Sequence, residues 1–435
     1  MARSWHHWYN HADHFNFGSS SSTTSTVDTS TTTDTTTDTS SGTTADTTTV
    51  DTGSITSMLG ESSSSAALTT DSATTSTVDT STTTAADTTT AATSTTTSTT
   101  TSTTSGLSAA DQSLINSATF IVATDGNDNG AGTASDPLAT LNAAISQAHA
   151  GDTILVRGGT YQGQVNIWQG GTADAPLTIK AYPGEHPVID GSGTGSNTDL
   201  VSITASNVVF QGFEVENASR TGIGVWDASN VQILDNLVHD TQRGGIYAGA
   251  DQPGIASNIT ISGNVVHDTV LENESRSASS GWAQAIGVDL VSDSNVTGNY
   301  SFDNYGEGFG ALSSTNVVFA NNTAYDDFSV NMYFDKSQYI SAYGNTLFET
   351  GDSEYYRNGS PAAGMTIANE YTSYQMASLG DDIHDNTFLG VSGPYYDDSY
   401  GWGGGLSDST LGAETMLSAS DVTSDMLWTE DLWAA

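Results

Sequence analysis

Cysteine is absent from the 435-residue chain, so neither disulfides nor thiol chemistry can be invoked, and usage of the residue says nothing about compartment. Basic residues are almost as scarce. Eight lysines and arginines stand against 50 aspartates and glutamates, a net charge of −42, which argues against nucleic acid and anionic membranes as partners and makes cations natural ones. The acidity fits either a high-salt or solubility adaptation or a calcium-rich extracellular setting. No stretch approaches the roughly 20 apolar residues of a membrane span. The N-terminal MARSWHHWYNHADHFNF has no apolar secretory core, so a surface or extracellular location is expected to use another route. The C-terminal segment, with Gly401–Gly405 and the ending DMLWTEDLWAA, is a candidate export signal or simply a tail.

Residues 1–117 lack apolar content. Ser, Thr, Asp and Ala dominate, and TSTVDTSTTT occurs twice, from Thr24 and from Thr75. Such a segment buries too little apolar surface to offset the entropy of ordering and is expected to form a disordered tether or stalk. His6, His7, His11 and His14 lie within it and read as a flexible His-rich end rather than a metal site.

What the rest contains is a repeat. SNVQILDNLVHD ends at Asp240, SNITISGNVVHD at Asp268, DSNVTGNYSFD at Asp303, TNVVFANNTAYD at Asp326 and SQYISAYGNTLFE at Glu349, with a degenerate copy ending at Asn217. Asn236, Asn264, Asn299, Asn322 and Asn345 are 28, 35, 23 and 23 residues apart, and Phe213 occupies the matching place one coil earlier. A period near 23 with alternating apolar residues and Gly/Asn corners predicts a solenoid of short strands, a parallel β-helix, in which each coil buries its apolar face against its neighbours. A second strand is expected at Gly222, Gly245, Ala285, Gly308, Asn331 and Gly364. The expected organisation is a tether over 1–117, a β-helix over 118–390 and a Gly/Asp-rich tail or C-terminal cap over 391–435. Leu138, Leu141, Ile145 and Ala148 at helical spacing, with Asp136 placed as N-cap, predict a helix over the first coil, where an open solenoid end would otherwise expose core and strand edge.

Coils stacked about 4.8 Å apart turn equal offsets into columns. The asparagine column is expected to face inward and hydrogen-bond along the stack. Four residues on run Asp240, Asp268, Asp303 and Asp326, continuing to Glu349. Like charges at rung spacing repel unless water screens them, corners splay them or a cation bridges them. The row is therefore either a set of Asx turns facing solvent or an oxygen-only site for Ca2+. Just before it, His239, His267, Phe302, Tyr325 and Phe348 predict a ring stack. A His239–Asp240 or His267–Asp268 dyad is not expected, since adjacent strand residues face opposite ways. Arg220, Arg243 and Arg276 recur in successive connections and either hold an acidic sugar or pair with neighbouring acids. The outward set of the second strand, Trp226, Tyr247, Asp289, Tyr333 and Asp335 with Glu307 and Lys336 at the strand ends, describes a carbohydrate groove. An insertion from Val270 to Ala285, carrying Glu272, Glu274, Arg276 and Trp282, is expected to overhang it.

The opening FIVATDGNDNGAGTASDPLATLNAAISQAHAGDTILVRGGTY, followed by N-V-x-I-x-x-N-x-V coils, resembles the right-handed parallel β-helix proteins of the pectate-lyase-like superfamily over residues 119–390. The resemblance implies a right-handed helix and a carbohydrate-active protein, but the superfamily spans lyases, hydrolases, epimerases and adhesins. In its lyases the C5 proton of a uronate is removed after calcium or arginine neutralises the carboxylate. On that reading Arg243 or Lys336 is the base, and Asp289, Glu307 and Asp335 hold a cation. A hydrolase would instead use opposed carboxylates, for which Asp289 and Glu307 are the nearest pair. The Asp-Pro-His signature of the superfamily's mannuronan epimerases is absent, because Asp136-Pro137 is followed by Leu138. DGNDNGAG from Asp125 only loosely matches a calcium loop. The reading from another class is a non-enzymatic adhesin carried on a disordered stalk.

Overall fold

The computed structural model describes residues 107–278, 281–369, 377–398 and 408–433. Residues 1–106 of the tether expected over 1–117, with its histidines, lie outside them. Three strands per coil wind into three parallel sheets. Among the described residues sheet 1 has twelve strands and includes Val231–Leu234, sheet 2 has ten and includes Leu237–His239, and sheet 3 has nine and includes Ile246–Gly249. Each strand pairs with the equivalent strand one coil on, in register: Val231 with Ile259, Leu237 with Val265, Ile246 with Ile286. Among the described residues no helix is long and apolar enough to cross a membrane.

Valine, isoleucine and phenylalanine fill the bore, with Phe210, Phe213, Phe309, Phe319 and Phe334 fully buried. Their β-branched and aromatic shapes suit a pleated surface covered on its inner side. The asparagine column sits inside the corner between sheets 1 and 2. Asn236 Nδ2 donates to Asn264 Oδ1 at 2.9 Å, Asn264 to Asn299 at 3.0 Å, Asn299 to Asn322 at 3.1 Å and Asn345 to Asn386 at 2.8 Å. At the first turn the Phe213 N–H donates to Asn236 Oδ1.

Both ends differ from expectation. The helix over the first coil spans Leu141–Gln147 and buries Leu141, Ala144 and Ile145, but its N-cap is Thr140, whose hydroxyl accepts the Ala143 N–H. Asp136 instead accepts the Ala131 N–H at 2.8 Å, and Asp128 accepts the N–H groups of Ala139 and Thr140. A helix at Ala109–Ser117, capped reciprocally by Ser108 and Asp111 and with no buried residue, occupies the end of the segment read as tether. Beyond residue 390, strands Tyr395–Asp398, Thr410–Leu411 and Thr415–Leu417 pair with the preceding coil although the sequence repeat has faded. The chain then lies along the outer side of sheet 2, where Val422, Met426, Leu427, Trp428 and Trp433 pack on the ring stack.

Candidate functional site

Sheet 3 presents a polar, aromatic outer face. Parallel register puts Tyr247, Gly287, Gly310 and Tyr333 in one column, and Trp226, Gly249, Asp289, Leu312 and Asp335 in the next. Glycine makes room there: a Cβ on Gly310 would meet Gln284 Cγ at 2.4 Å, and one on Gly287 the Tyr247 ring at 2.9 Å. The large side chains therefore lie across a glycine floor.

Along this face the groups are joined. Trp226 Nε1 donates to Asp199 Oδ2 at 2.8 Å, and Arg220 Nη1 reaches the same oxygen at 3.3 Å. The Arg220 guanidinium stands 5.2 Å from the centre of the Trp226 ring, which is 5.5 Å from that of Tyr247. The Tyr247 hydroxyl donates to Asp289 Oδ2 at 3.4 Å. Burial, with the Asp335 charge adding to it, pushes Asp289 up to about 7. Burial and the Asp289 charge hold the Tyr247 hydroxyl well above its ordinary range. Gln284 Nε2 donates to Glu307 Oε2 at 2.6 Å on the same face.

Arg220, Trp226, Tyr247, Asp289, Glu307, Tyr333 and Asp335 thus belong to this sheet or its edge. Lys336 follows Asp335 in the left-handed region, at φ 51°, and is 1 % exposed. Arg243 lies at the rim, paired with Glu272 at 3.1 Å. Arg276 is elsewhere. Its Nη1 donates to the Glu354 carbonyl at 2.6 Å, and with Phe328, Tyr356, Arg357 and Asn358 it lines a cavity of about 190 Å³. The insertion packs there rather than over the groove: Trp282 meets Phe328 edge-on at 5.2 Å and lies under the Arg357 guanidinium at 4.7 Å. Sequence reasoning missed Asp199, Gln284 and Arg357. Asp199 lies one coil before Thr221 in the register that pairs Val201 with Ile223, so the repeat could have found it; Arg357 sits in an insertion where no offset applies.

The acid row lies at the corner between sheets 2 and 3, and Asp240, Asp268, Asp303 and Asp326 all have φ between 48° and 56°. That conformation breaks strand alternation, so the adjacent-residue argument fails. His239 Nδ1 is 2.7 Å from Asp240 Oδ2, and His267 Nδ1 is 2.7 Å from Asp268 Oδ2. The row then turns inward: Asp326 accepts the Thr350 N–H, and burial with the charges of Asp326 and Asp268 pushes Asp303 up to about 7. Burial pushes Glu349 up to about 8, with Asp326 contributing. Among the described residues no three members of the row bring carboxylate oxygens within 4.8 Å of one another; Glu214, Glu216 and His239 do bring three ligand atoms that close. The ring stack forms as expected, His239 to His267 at 5.1 Å and Phe302 to Tyr325 at 4.9 Å. At its start burial lowers His239, but the hydrogen bonds it donates to Glu214 and Asp240, with their charges, outweigh this and push it up to about 9.

Three parallel sheets on one spiral define a right-handed parallel β-helix protein of the pectate-lyase-like type. The chain belongs to the family described as Pel9A-like, right-handed β-helix region, whose sequence pattern matches residues 120–346. It is 35 % identical over 138 residues to pectate lyase PEL9 of Emericella nidulans, and 30 % identical over 143 residues to the uncharacterized protein YwoF of Bacillus subtilis. In both cases the match covers 30 % of this chain and 30 % of the relative. The crystal structure of pectate lyase Pel9A superposes with a TM-score of 0.50 at 16 % identity, covering 72 % of this chain and 80 % of that one. At that identity the likeness is one of fold.

Proposed function

We propose that the chain binds an acidic polysaccharide along the outer face of sheet 3 and acts on its uronate units by C5 proton abstraction, as a lyase or an epimerase. The observation that carries this reading is the continuous contact Arg220–Trp226–Tyr247–Asp289. It offers a guanidinium for a carboxylate, two rings for sugar C–H faces and a buried acid in one line. Kinship with pectate lyase PEL9 of Emericella nidulans supports the substrate class. An extracellular site of action belongs to the same proposal.

Asp289 and Asp335, two coils apart in one column, would hold calcium; Glu307, paired with Gln284 at the other end of the strands, stands away from them. The fit rests on oxygen-only donors and on the Asp335 charge, which adds to burial in raising Asp289. When bound, the ion supplies positive charge to the uronate carboxylate and so acidifies the C5–H bond. Arg243 is the better placed base, at the rim and part-exposed, whereas Lys336 is enclosed. The base takes the C5 proton. In elimination the C5–H electron pair forms the C4–C5 double bond, and the C4–O bond breaks with its pair going to the leaving oxygen, which is then protonated.

The enclosure of Lys336 and the pairing of Arg220 and Arg243 with carboxylates favour a second reading, glycan binding without cleavage. Incubation with polygalacturonate and with alginate, with and without calcium, separates them. A rise in absorbance near 235 nm marks elimination, and changed C5 stereochemistry by NMR marks epimerisation. Retention in a polygalacturonate gel with neither change marks a binder, and no retention on any acidic glycan overturns both.

A further inference from the structure

A second constellation stands on sheet 2, away from the groove. Strands Glu214–Glu216 and Leu237–His239 are parallel neighbours, Glu214 opposite Leu237 and Glu216 opposite His239. Alternation sends Glu214, Glu216 and His239 to the same outer side. His239 Nε2 lies 3.3 Å from Glu214 Oε1 and 4.0 Å from Glu216 Oε2, and one ligand atom from each residue falls within 4.8 Å of the other two. Ligands about 2.0–2.2 Å from a tetrahedral zinc ion stand roughly 3.3–3.6 Å from one another, which the 3.3 and 4.0 Å separations approach.

The ring is also held for the task. Asp240 accepts at Nδ1 from the left-handed corner, so Nε2 is the nitrogen turned to the glutamates. The flat face of the ring rests on His267 at an interplanar angle of 3°. A carboxylate behind a ligating imidazole sets its tautomer and strengthens it as a donor. The side chains of Glu214, Glu216 and His239 are 27 %, 25 % and 13 % exposed, open enough for an ion to enter and for water to complete the shell.

We propose that Glu214, Glu216 and His239 form a binding site for a divalent transition metal of the zinc class, with Asp240 orienting His239 from behind. One imidazole and two carboxylates suit zinc and its borderline neighbours; calcium, which takes six to eight oxygens, is poorly served by three ligands of which one is nitrogen.

The test is calorimetric titration of the full chain, stripped with chelator, using Zn2+ and then Ca2+. The His6, His7, His11 and His14 alanine variant is the background, so that the N-terminal histidines do not report. One Zn2+ should bind with a Kd on the order of 1 µM or tighter, while calcium should give no heat competing with zinc. Glu216→Gln, which keeps shape and removes charge, should weaken zinc by at least tenfold, and Asp240→Asn by about 10- to 100-fold. His239→Ala should abolish it with unchanged circular dichroism; should that variant not fold, Glu216→Gln decides. Absence of a zinc isotherm on this background, or one indifferent to Glu216→Gln, overturns the proposal.

Discussion

Asn322 Nδ2 donates to Asn345 Oδ1 at 3.1 Å and to the Val296 carbonyl at 2.9 Å, while Asn322 Oδ1 accepts the Asn299 N–H at 3.0 Å. One buried amide therefore satisfies two backbone groups on the preceding coil and carries the ladder to the following one. Truncation leaves a buried N–H and a buried carbonyl without partners. Asn322→Ala is expected to destabilise the β-helix by about 3 kcal/mol. Urea unfolding should show a lower midpoint.

Glu349 sets a pH dependence. Its folded value of about 8 stands above the ordinary 4.5, so between these values the native state holds a proton that the unfolded chain has lost. Its contribution is fully favourable below about 4.5 and declines as pH rises, until both states are ionised above about 8. The loss is on the order of 4 kcal/mol. Glu349→Gln removes the charge and keeps an oxygen that can accept from Asn331 Nδ2. The variant should be more stable than the parent at pH 8.5 and nearly equal at pH 4.5, with a flatter melting temperature–pH curve between.

Phe302 is the centre of the ring stack, 4.9 Å from both His267 and Tyr325 and 5.7 Å from Trp428. Phe302→Ala should cost about 3–4 kcal/mol through the cavity it leaves. Because Trp428 rests on the same ring, its fluorescence should shift to the red in the folded variant.

The groove is tested by its platform and its floor. Trp226→Ala removes an aromatic face and the partner of Arg220, and is expected to weaken polygalacturonate retention about tenfold with a smaller effect on stability. Gly310→Ala places a methyl group where Gln284 Cγ lies and should also lower retention, at a folding cost of about 1–3 kcal/mol. Unchanged retention in both would remove sheet 3 as the binding face.

The coil period, the inward asparagines and the ring stack were legible because each is written as the same residue type at the same offset. Stacking converts offset into contact with little need for tertiary detail. The outward set of sheet 3 was legible for the same reason. The His239–Asp240 contact was not, because alternation holds only while the backbone stays extended, and φ at Asp240 is 53°.

By itself the sequence determined that this would be a spiral of short parallel strands, and which residues would share a column. Tertiary structure alone decided how deep each column sits. It enclosed Lys336, took Arg276 to the Glu354 loop and buried Glu349. Those outcomes depend on corner conformations and on where insertions pack against one another, which are properties of the assembled coils and carry no signature at a fixed spacing.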